Sequence, residues 1–321
     1  MQISIIIPLL NEADSLNELF DRIHNVCIQE KFCYEVIFID DGSTDNSWII
    51  INNLSKIYPQ VKGIKFARNY GKSQALNAAF KIAKGEVVIT MDADLQDFPE
   101  EIPALHKMIV EDNYDLVSGW KKKRYDNVIT KNLPSKLFNW AARSTSGVKL
   151  HDFNCGLKAY KNEVIKAIDV YGDMHRYIPV LAKNEGYTKI TEKEVPHQAR
   201  IYGKSKFGAN RFVRGFLDLI TIWFMSRFGS RPMHFFGFIG TLMFILGFFS
   251  AAWMGISKLI KVWKNIPAKL ITTDPLFYIS LIMMVLGTLL FIAGFLGELI
   301  VELKRGRKED YTISKYINIK E

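Results

Sequence analysis

The chain is 321 residues long and carries 42 lysines and arginines against 33 aspartates and glutamates, a formal net charge of +9. That balance suits anionic partners such as phosphates and lipid headgroups, while the lack of an arginine-rich arm or an aromatic-studded basic sheet motif argues against nucleic acid. Three cysteines, Cys27, Cys33 and Cys155, form no CxxC pair and no closed disulfide framework, which fits a reducing compartment.

Residues 3–8 read as a short apolar strand ended by Pro8. Met1 leads straight into it, so no signal peptide is expected. After the turn Leu9-Leu10-Asn11-Glu12 comes a helix with Leu16, Leu19, Phe20 and Ile23 on one face. A second buried strand, 35–39, runs into Asp40-Asp41-Gly42-Ser43, and Thr44 or Asp45 is placed to cap the next helix. A third strand spans 62–66, and a helix spans 74–84 after Arg68-Asn69-Tyr70-Gly71-Lys72-Ser73. A fourth strand runs from Val87 to Asp92. This strand–helix alternation predicts a doubly wound parallel sheet.

In such a sheet, ligands bind beyond the carboxyl ends of the strands. Three of those ends carry polar clusters: Asn11/Glu12, Asp40/Asp41 and Asp92/Asp94. Asp92 and Asp94 repel unless a cation lies between them or one takes up a proton. Their hard oxygens suit Mg²⁺ or Mn²⁺ shared with substrate phosphates. Lys72 and Arg68 lie near a helix start, where phosphate is favoured. Two other phosphate cradles are excluded. Gly71-Lys72-Ser73 resembles the end of a P-loop, but its first glycine would fall at Phe66, and no Gly-x-Gly-x-x-Gly follows the first strand.

Further along, 115–119 reads as a strand, followed by the basic run Lys121-Lys122-Lys123-Arg124 and an amphipathic helix over 131–146. Segment 151–160 is mixed, with Gly156 allowing a close backbone approach. A helix opens at 174–179, and 197–206 is a basic loop. Two apolar runs, 235–256 and 275–296, each exceed the roughly 18 residues needed to cross about 30 Å of hydrocarbon. Between 207 and 228 apolar residues alternate with Arg211, Arg214, Asp218 and Arg227, the pattern of an amphipathic helix lying in the interface.

Residues 5–12, Asp40-Asp41-Gly42-Ser43, Asp92-Ala93-Asp94-Leu95-Gln96 and Arg200…Gly203-Lys204-Ser205-Lys206, in this order, resemble the family 2 glycosyltransferases of the dolichol-phosphate mannosyltransferase and bacterial polyprenyl-phosphate glycosyltransferase type. The likeness covers almost the whole chain. It implies an α/β fold: a nucleotide-sugar-binding glycosyltransferase A-type (Rossmann-like) domain with a mixed central sheet, followed by a two-helix transmembrane hairpin. The expected division is a cytosolic transferase domain over 1–206, interfacial helices over 207–232, two spans over 233–303 and a basic tail over 304–321.

The resemblance also implies roles. Pro8, Leu10, Glu12, Asp40, Asp41, Lys72, Asp92 and Ala93 would bind the nucleotide sugar. Asp94, with Asp92 and Gln96, would hold the Mg²⁺ or Mn²⁺. Asp152 and Asp94 would be catalytic, Asp152 being the carboxylate placed near the acceptor. Arg200, Lys204, Ser205, Lys206 and Arg176 would bind the acceptor. Two positions depart from the pattern: Leu10 stands where tyrosine is frequent, and Lys121 stands where arginine would make a planar two-point phosphate contact. The implied activity is inverting transfer of a sugar from a nucleotide-diphosphate donor to a membrane lipid, polyprenyl phosphate first. A lipid hydroxyl acceptor or a non-catalytic nucleotide-sugar binding protein are the alternatives. A processive polymerase is disfavoured, because neither a multi-span channel nor a Gln-x-x-Arg-Trp motif is visible. The basic flanks Arg227, Arg231, Lys304, Arg305, Arg307 and Lys308, with a cytosolic donor, predict a multi-pass inner-membrane protein with a cytoplasmic catalytic domain. Association through the helices into a homo-oligomer is also expected.

Overall fold

The structure, a computed structural model, describes residues 1–122, 143, 146–170, 174–198, 224, 228, 231–267 and 270–305. The chain divides into two compact units, Met1–Trp223 and Phe224–Tyr311.

The first unit is built on a seven-stranded sheet in the order β3-β2-β1-β4-β6-β5-β7. Its strands are β1 (Ile3–Leu9), β2 (Tyr34–Asp40), β3 (Val61–Lys65), β4 (Val87–Thr90), β5 (Leu116–Trp120), β6 (Lys158–Lys161) and β7 (Ile190–Glu194). Side chains alternate between the two faces of a strand. Ile3, Ile5 and Ile7 of β1 therefore join Val36 and Phe38 under α1 (Ala13–Gln29), in a core with Leu16, Leu19, Phe20 and Ile23. On the opposite face Ile6, Ile37 and Ile39 pack with Ala75, Leu76, Ala79 and Phe80 of α3 (Lys72–Ile82). Burial on both faces is why these strands read as unbroken apolar runs. The remaining helices of this unit are α2 (Ser47–Ile57), α4 (Ile102–Val110), α5 (Asn162–Ala167) and α6 (Ile178–Asn184).

The sheet is mixed, as the family resemblance implies, and not parallel throughout as strand–helix alternation alone predicts. β6 runs antiparallel to both of its neighbours, with Thr90 opposite Lys158 and Ser118 also opposite Lys158. The segment before β6 lies at the edge where β4 and β5 end, so the chain enters the sheet from that edge and must run back through it. This reversal brings residues 152–158 beside the carboxyl end of β4. Boundaries also shift: β4 stops at Thr90, two residues before Asp92, α3 begins at Lys72, and the helix expected at 174 opens as a 3₁₀ turn, Met174–Tyr177, before α6. The expected helix over 131–146, the loop carrying Arg200, Lys204, Ser205 and Lys206, and the interfacial helix over 207–228 lie largely outside the described residues.

In the second unit, α7 (Pro232–Trp263) and α8 (Pro275–Arg305) form an antiparallel pair. Small residues let the backbones meet: a Cβ on Gly240 would lie 2.5 Å from the Gly287 carbonyl oxygen, and one on Gly247 would lie 2.6 Å from that of Ser280. Ser280 Oγ donates to Ser250 Oγ at 2.9 Å across the pair. The Glu298 carboxylate accepts the Met233 N–H at 3.2 Å, satisfying a donor at the start of α7. Both helices are long and apolar enough to cross a membrane, and Phe238, Phe249, Trp253, Leu289 and Phe295 are exposed along them. Because α7 extends to Trp263, Lys258 and Lys261 belong to its last turns.

Candidate active site

The carboxyl ends of β1 and β2 are level, with Leu9 opposite Asp40. The loops beyond them are joined by backbone-to-side-chain bonds. Ser43 Oγ accepts the Asn11 N–H at 2.9 Å, Ser47 Oγ accepts the Glu12 N–H at 3.1 Å, and Asn11 Oδ1 accepts the Thr44 N–H at 2.8 Å. Asp45 serves two helix starts, accepting the Ala13 N–H through Oδ2 at 3.1 Å and the Ser47 N–H through Oδ1 at 3.0 Å. Pro8, Leu10 and Glu12, all partly exposed, are carried on this rigid rim.

Asp40 and Asp41 work inward. Asp40 is fully buried, accepts the Ser43 N–H at 2.7 Å, and pairs with Lys65 at 3.8 Å. Asp41 accepts the N–H groups of Tyr70 and Gly71 at 2.7 and 2.9 Å. Burial pushes its carboxyl up, against the pull of those two donors. The β3–α3 loop is thereby fastened to the β2 loop. The fit at Gly42 is equally close: with φ at +78°, its Cβ would lie 2.4 Å from the Arg68 carbonyl carbon. This fastening sets Lys72, the first residue of α3, beside Asp92, and the two form an ion pair.

Asp92, Ala93 and Asp94 follow β4. Burial raises the Asp92 carboxyl, but Lys72, Lys121 and Lys158 outweigh it and hold it down to about 2. Asp94 is 8% exposed and accepts the Gln96 N–H at 3.2 Å. Between them the backbone turns sharply, with the buried Leu95 at φ +58°, a left-handed conformation that costs a branched apolar residue on the order of 1 kcal/mol or more. The turn is held from below. Gln198 Nε2 donates to the Leu95 carbonyl, and Gln96 Nε2 donates to the Gln198 carbonyl at 3.4 Å. Ala93 is buried in the core beneath the turn.

A third acid completes the loop. Asp97, 1% exposed, accepts the Asp92 N–H at 3.4 Å and pairs with Lys121 Nζ at 2.6 Å. Burial opposes the Lys121 charge, but Asp97 outweighs it and drives the ammonium pKa upward. Lys121 is thus committed to a buried ion pair under the site.

The segment before β6 closes the other side. Asp152, 2% exposed, accepts the Asn154 N–H at 3.0 Å. Gly156 faces Asp92 so closely that a Cβ would lie 2.5 Å from its Oδ2. Lys158, 3% exposed at the start of β6, donates to the carbonyls of Cys155 and Phe153 and so holds this segment against β4. Its ammonium is pulled down by burial, and the Lys72 charge adds to that pull. Next to it, Ser73 Oγ accepts the His175 N–H at 3.0 Å and lies 3.2 Å from its Nδ1. Burial and the charges of Lys72, Arg176 and Lys158 keep that imidazole well below its usual range, hence neutral.

The structure therefore gathers Lys72, Asp92, Asp94, Gln96, Asp152 and Arg176 at one edge of the sheet and sets Pro8, Leu10 and Glu12 on its rim. Asp97, Lys158 and His175 are the additions that sequence reasoning did not single out. Asp97 was legible as a further acid in the same loop. Lys158 was legible as a lone charge in the apolar run Leu157–Tyr160. His175 left no signal, because its partner Ser73 is distant in sequence.

Residues 4–169 match the family described as Glycosyl transferase family 2. Dodecaprenyl-phosphate galacturonate synthase of Rhizobium johnstonii is 32% identical over 304 residues, which cover 94% of this chain and 88% of that protein. Undecaprenyl-phosphate 4-deoxy-4-formamido-L-arabinose transferase of Proteus mirabilis is 32% identical over 325 residues, covering 99% of this chain and 95% of that protein. Among solved structures, glucosyl-3-phosphoglycerate synthase from Mycobacterium tuberculosis in complex with uridine diphosphate has a TM-score of 0.55 at 18% identity, over 70% of this chain and 79% of its own. That last likeness is one of fold, the glycosyltransferase A-type α/β sheet. With a family match over half its length and relatives aligned nearly end to end, the chain belongs to glycosyl transferase family 2 and is a glycosyltransferase.

Proposed function

We propose that this glycosyltransferase moves a sugar from a nucleoside-diphosphate donor to polyprenyl phosphate, inverts the anomeric carbon, and uses Mg²⁺ or Mn²⁺. The observation that carries this reading is the meeting of Asp92 and Asp94 with Lys72 and Asp152 at the carboxyl edge of the sheet. Both curated relatives above are named for transfer to a polyprenyl phosphate. The mycobacterial synthase has been crystallised with Mn²⁺ and UDP-glucose.

The donor set fits a hard divalent ion. Asp94, Asp92 and Gln96 offer oxygen ligands, which suit an ion completed by substrate oxygens and water. When bound, it neutralises charge on the departing diphosphate. The protein's own groups do the rest. The rim residues Pro8, Leu10 and Glu12 receive the nucleoside, with Asp40, Asp41 and Ala93 setting the loops around it. Lys72 holds Asp92 ionised and faces the diphosphate. A lipid phosphate, with a second pKa near 6 by analogy with phosphoamino acids, is already ionised at neutral pH. Asp152 then orients the acceptor or takes its residual proton, while Arg200, Lys204, Ser205, Lys206 and Arg176 supply counter-charge. The two apolar helices anchor the protein as a multi-pass inner-membrane enzyme. Its catalytic unit is cytoplasmic, where nucleotide sugars are found, and the helices are also the surface through which copies would associate.

The test uses membranes containing the full-length protein, a panel of radiolabelled nucleotide sugars, added polyprenyl phosphate and lipid extraction of product. Asp94→Ala and added chelator should each abolish transfer, and full activity in chelator would refute the metal requirement. Asp152→Asn, assayed from about pH 6 to 9, should lose a modest factor that shrinks as the acceptor ionises fully. Complete loss across that range would favour a lipid hydroxyl acceptor, which needs a true base.

A further inference from the structure

A small pocket opens behind Asp92, between the start of α3, the end of β4, the segment before β6 and the Met174–Tyr177 turn. Lys72, Lys158, His175 and Arg176 line it, and Leu76, Phe153 and Ile178 supply apolar wall. We infer that this pocket is a subsite for an anionic oxygen group of a substrate, either a carboxylate on the transferred sugar or a phosphate.

The charge balance of the lining points there. Buried or half-buried cations are normally matched by a carboxylate. Of the three cations in the pocket, only Lys72 has an ion-pair partner among the described residues, Asp92. Lys158 hydrogen-bonds to two neutral carbonyls, with Asp152 and Asp92 acting on it only at longer range. Arg176 is half-buried and makes no ion pair among the described residues. The neutral His175 adds a polar ring edge, with its Nδ1 3.2 Å from Ser73 Oγ, which accepts the His175 N–H. A planar guanidinium and ammonium groups around a partly apolar cleft match a carboxylate or phosphate. An anion there would also relieve the mutual repulsion of Lys72, Lys158 and Arg176.

Which substrate delivers the anion depends on the transferase function proposed above; the subsite itself does not. Two measurements on the full-length protein in nanodiscs test it. In the first, thermal unfolding is followed against sodium sulfate, with ionic strength held constant by sodium chloride, for wild type, Arg176→Gln and Arg176→Lys. Sulfate should raise the midpoint of wild type and Arg176→Lys more than that of Arg176→Gln. Equal shifts in all three overturn the subsite.

In the second, UDP-glucose and UDP-glucuronate, which differ only at C6, are titrated into the same proteins, as is polyprenyl phosphate. If a sugar carboxylate is the occupant, Arg176→Gln weakens UDP-glucuronate alone, by about 10- to 100-fold, the worth of a charge-assisted hydrogen bond. If a phosphate is the occupant, the variant weakens both nucleotide sugars alike, or polyprenyl phosphate. Unchanged affinity for all three ligands overturns the substrate assignment. Failure of the transferase function would look different: wild type would move no sugar to polyprenyl phosphate while the sulfate effect persisted.

Discussion

The buried pair Asp97–Lys121 offers the most quantitative test of how the site is held. Both side chains are nearly inaccessible, 0% and 9% exposed, with Nζ and Oδ1 2.6 Å apart. Asp97→Ala strands a buried ammonium, a change that typically costs about 3–5 kcal/mol. A domain of this size has a total stability on the order of 5–15 kcal/mol. With a urea dependence of about 3 kcal/mol per molar, the unfolding midpoint of the catalytic unit should fall by roughly 1–2 M. Replacing both partners, Asp97→Leu with Lys121→Met, removes the stranded charge and should recover more than half of that loss. The assay is urea unfolding of the full-length protein in detergent, followed by tryptophan fluorescence. Because Asp97 also receives the Asp92 N–H, the double variant should stay folded yet transfer sugar slowly. A midpoint shift below about 0.3 M for Asp97→Ala, or a double variant as unstable as the sum of the singles, would refute a buried, mutually dependent pair.

Three further outcomes are expected. Gly156→Ala places a methyl group 2.5 Å from Asp92 Oδ2, so the carboxylate must move; the turnover number should fall by about 100-fold with the unfolding midpoint little changed. Lys72→Met removes the largest of the charges that hold the Asp92 carboxyl down at about 2, so donor affinity should be lost to acid at a higher pH in the variant than in the wild type. The sign for stability follows from the same depression. The folded value lies below the unfolded value of about 3.9, so the contribution of Asp92 is complete above that pH and is lost as pH falls towards about 2, and the variant lacks it. Gly287→Leu drives a side chain into the backbone of α7, where a Cβ already lies 2.6 Å from the Gly240 carbonyl oxygen; the thermal midpoint in detergent should drop, while Leu289→Ala on the exposed side should leave it unchanged.

Much of the parallel half of the sheet and the two apolar helices could be read directly from residues near one another in the chain. Strands β1, β2 and β4 are buried on both faces, so each is an apolar run that needs no partner to be recognised. The face of α1 carrying Leu16, Leu19, Phe20 and Ile23 follows from helical period alone. Asp92 and Asp94 were legible because the end of a parallel strand is where such sheets meet ligands.

What the chain could not announce by itself was the direction of β6 and everything that depends on it. Four residues, Lys158–Lys161, carry no mark of polarity, and only pairing with β4 and β5 makes them antiparallel. That reversal sets Gly156 against Asp92, places Lys158 in the pocket, and lets Ser73 meet His175 across 102 residues. Likewise, Asp40 and Asp41 read as ligand-facing acids, and only the structure shows that they also fasten the loops, through Ser43, Lys65 and the Tyr70–Gly71 backbone. Local pattern fixes which strands and helices form, because burial and period act over a few residues. The partner of each charge is fixed by long-range packing, which no stretch of sequence contains.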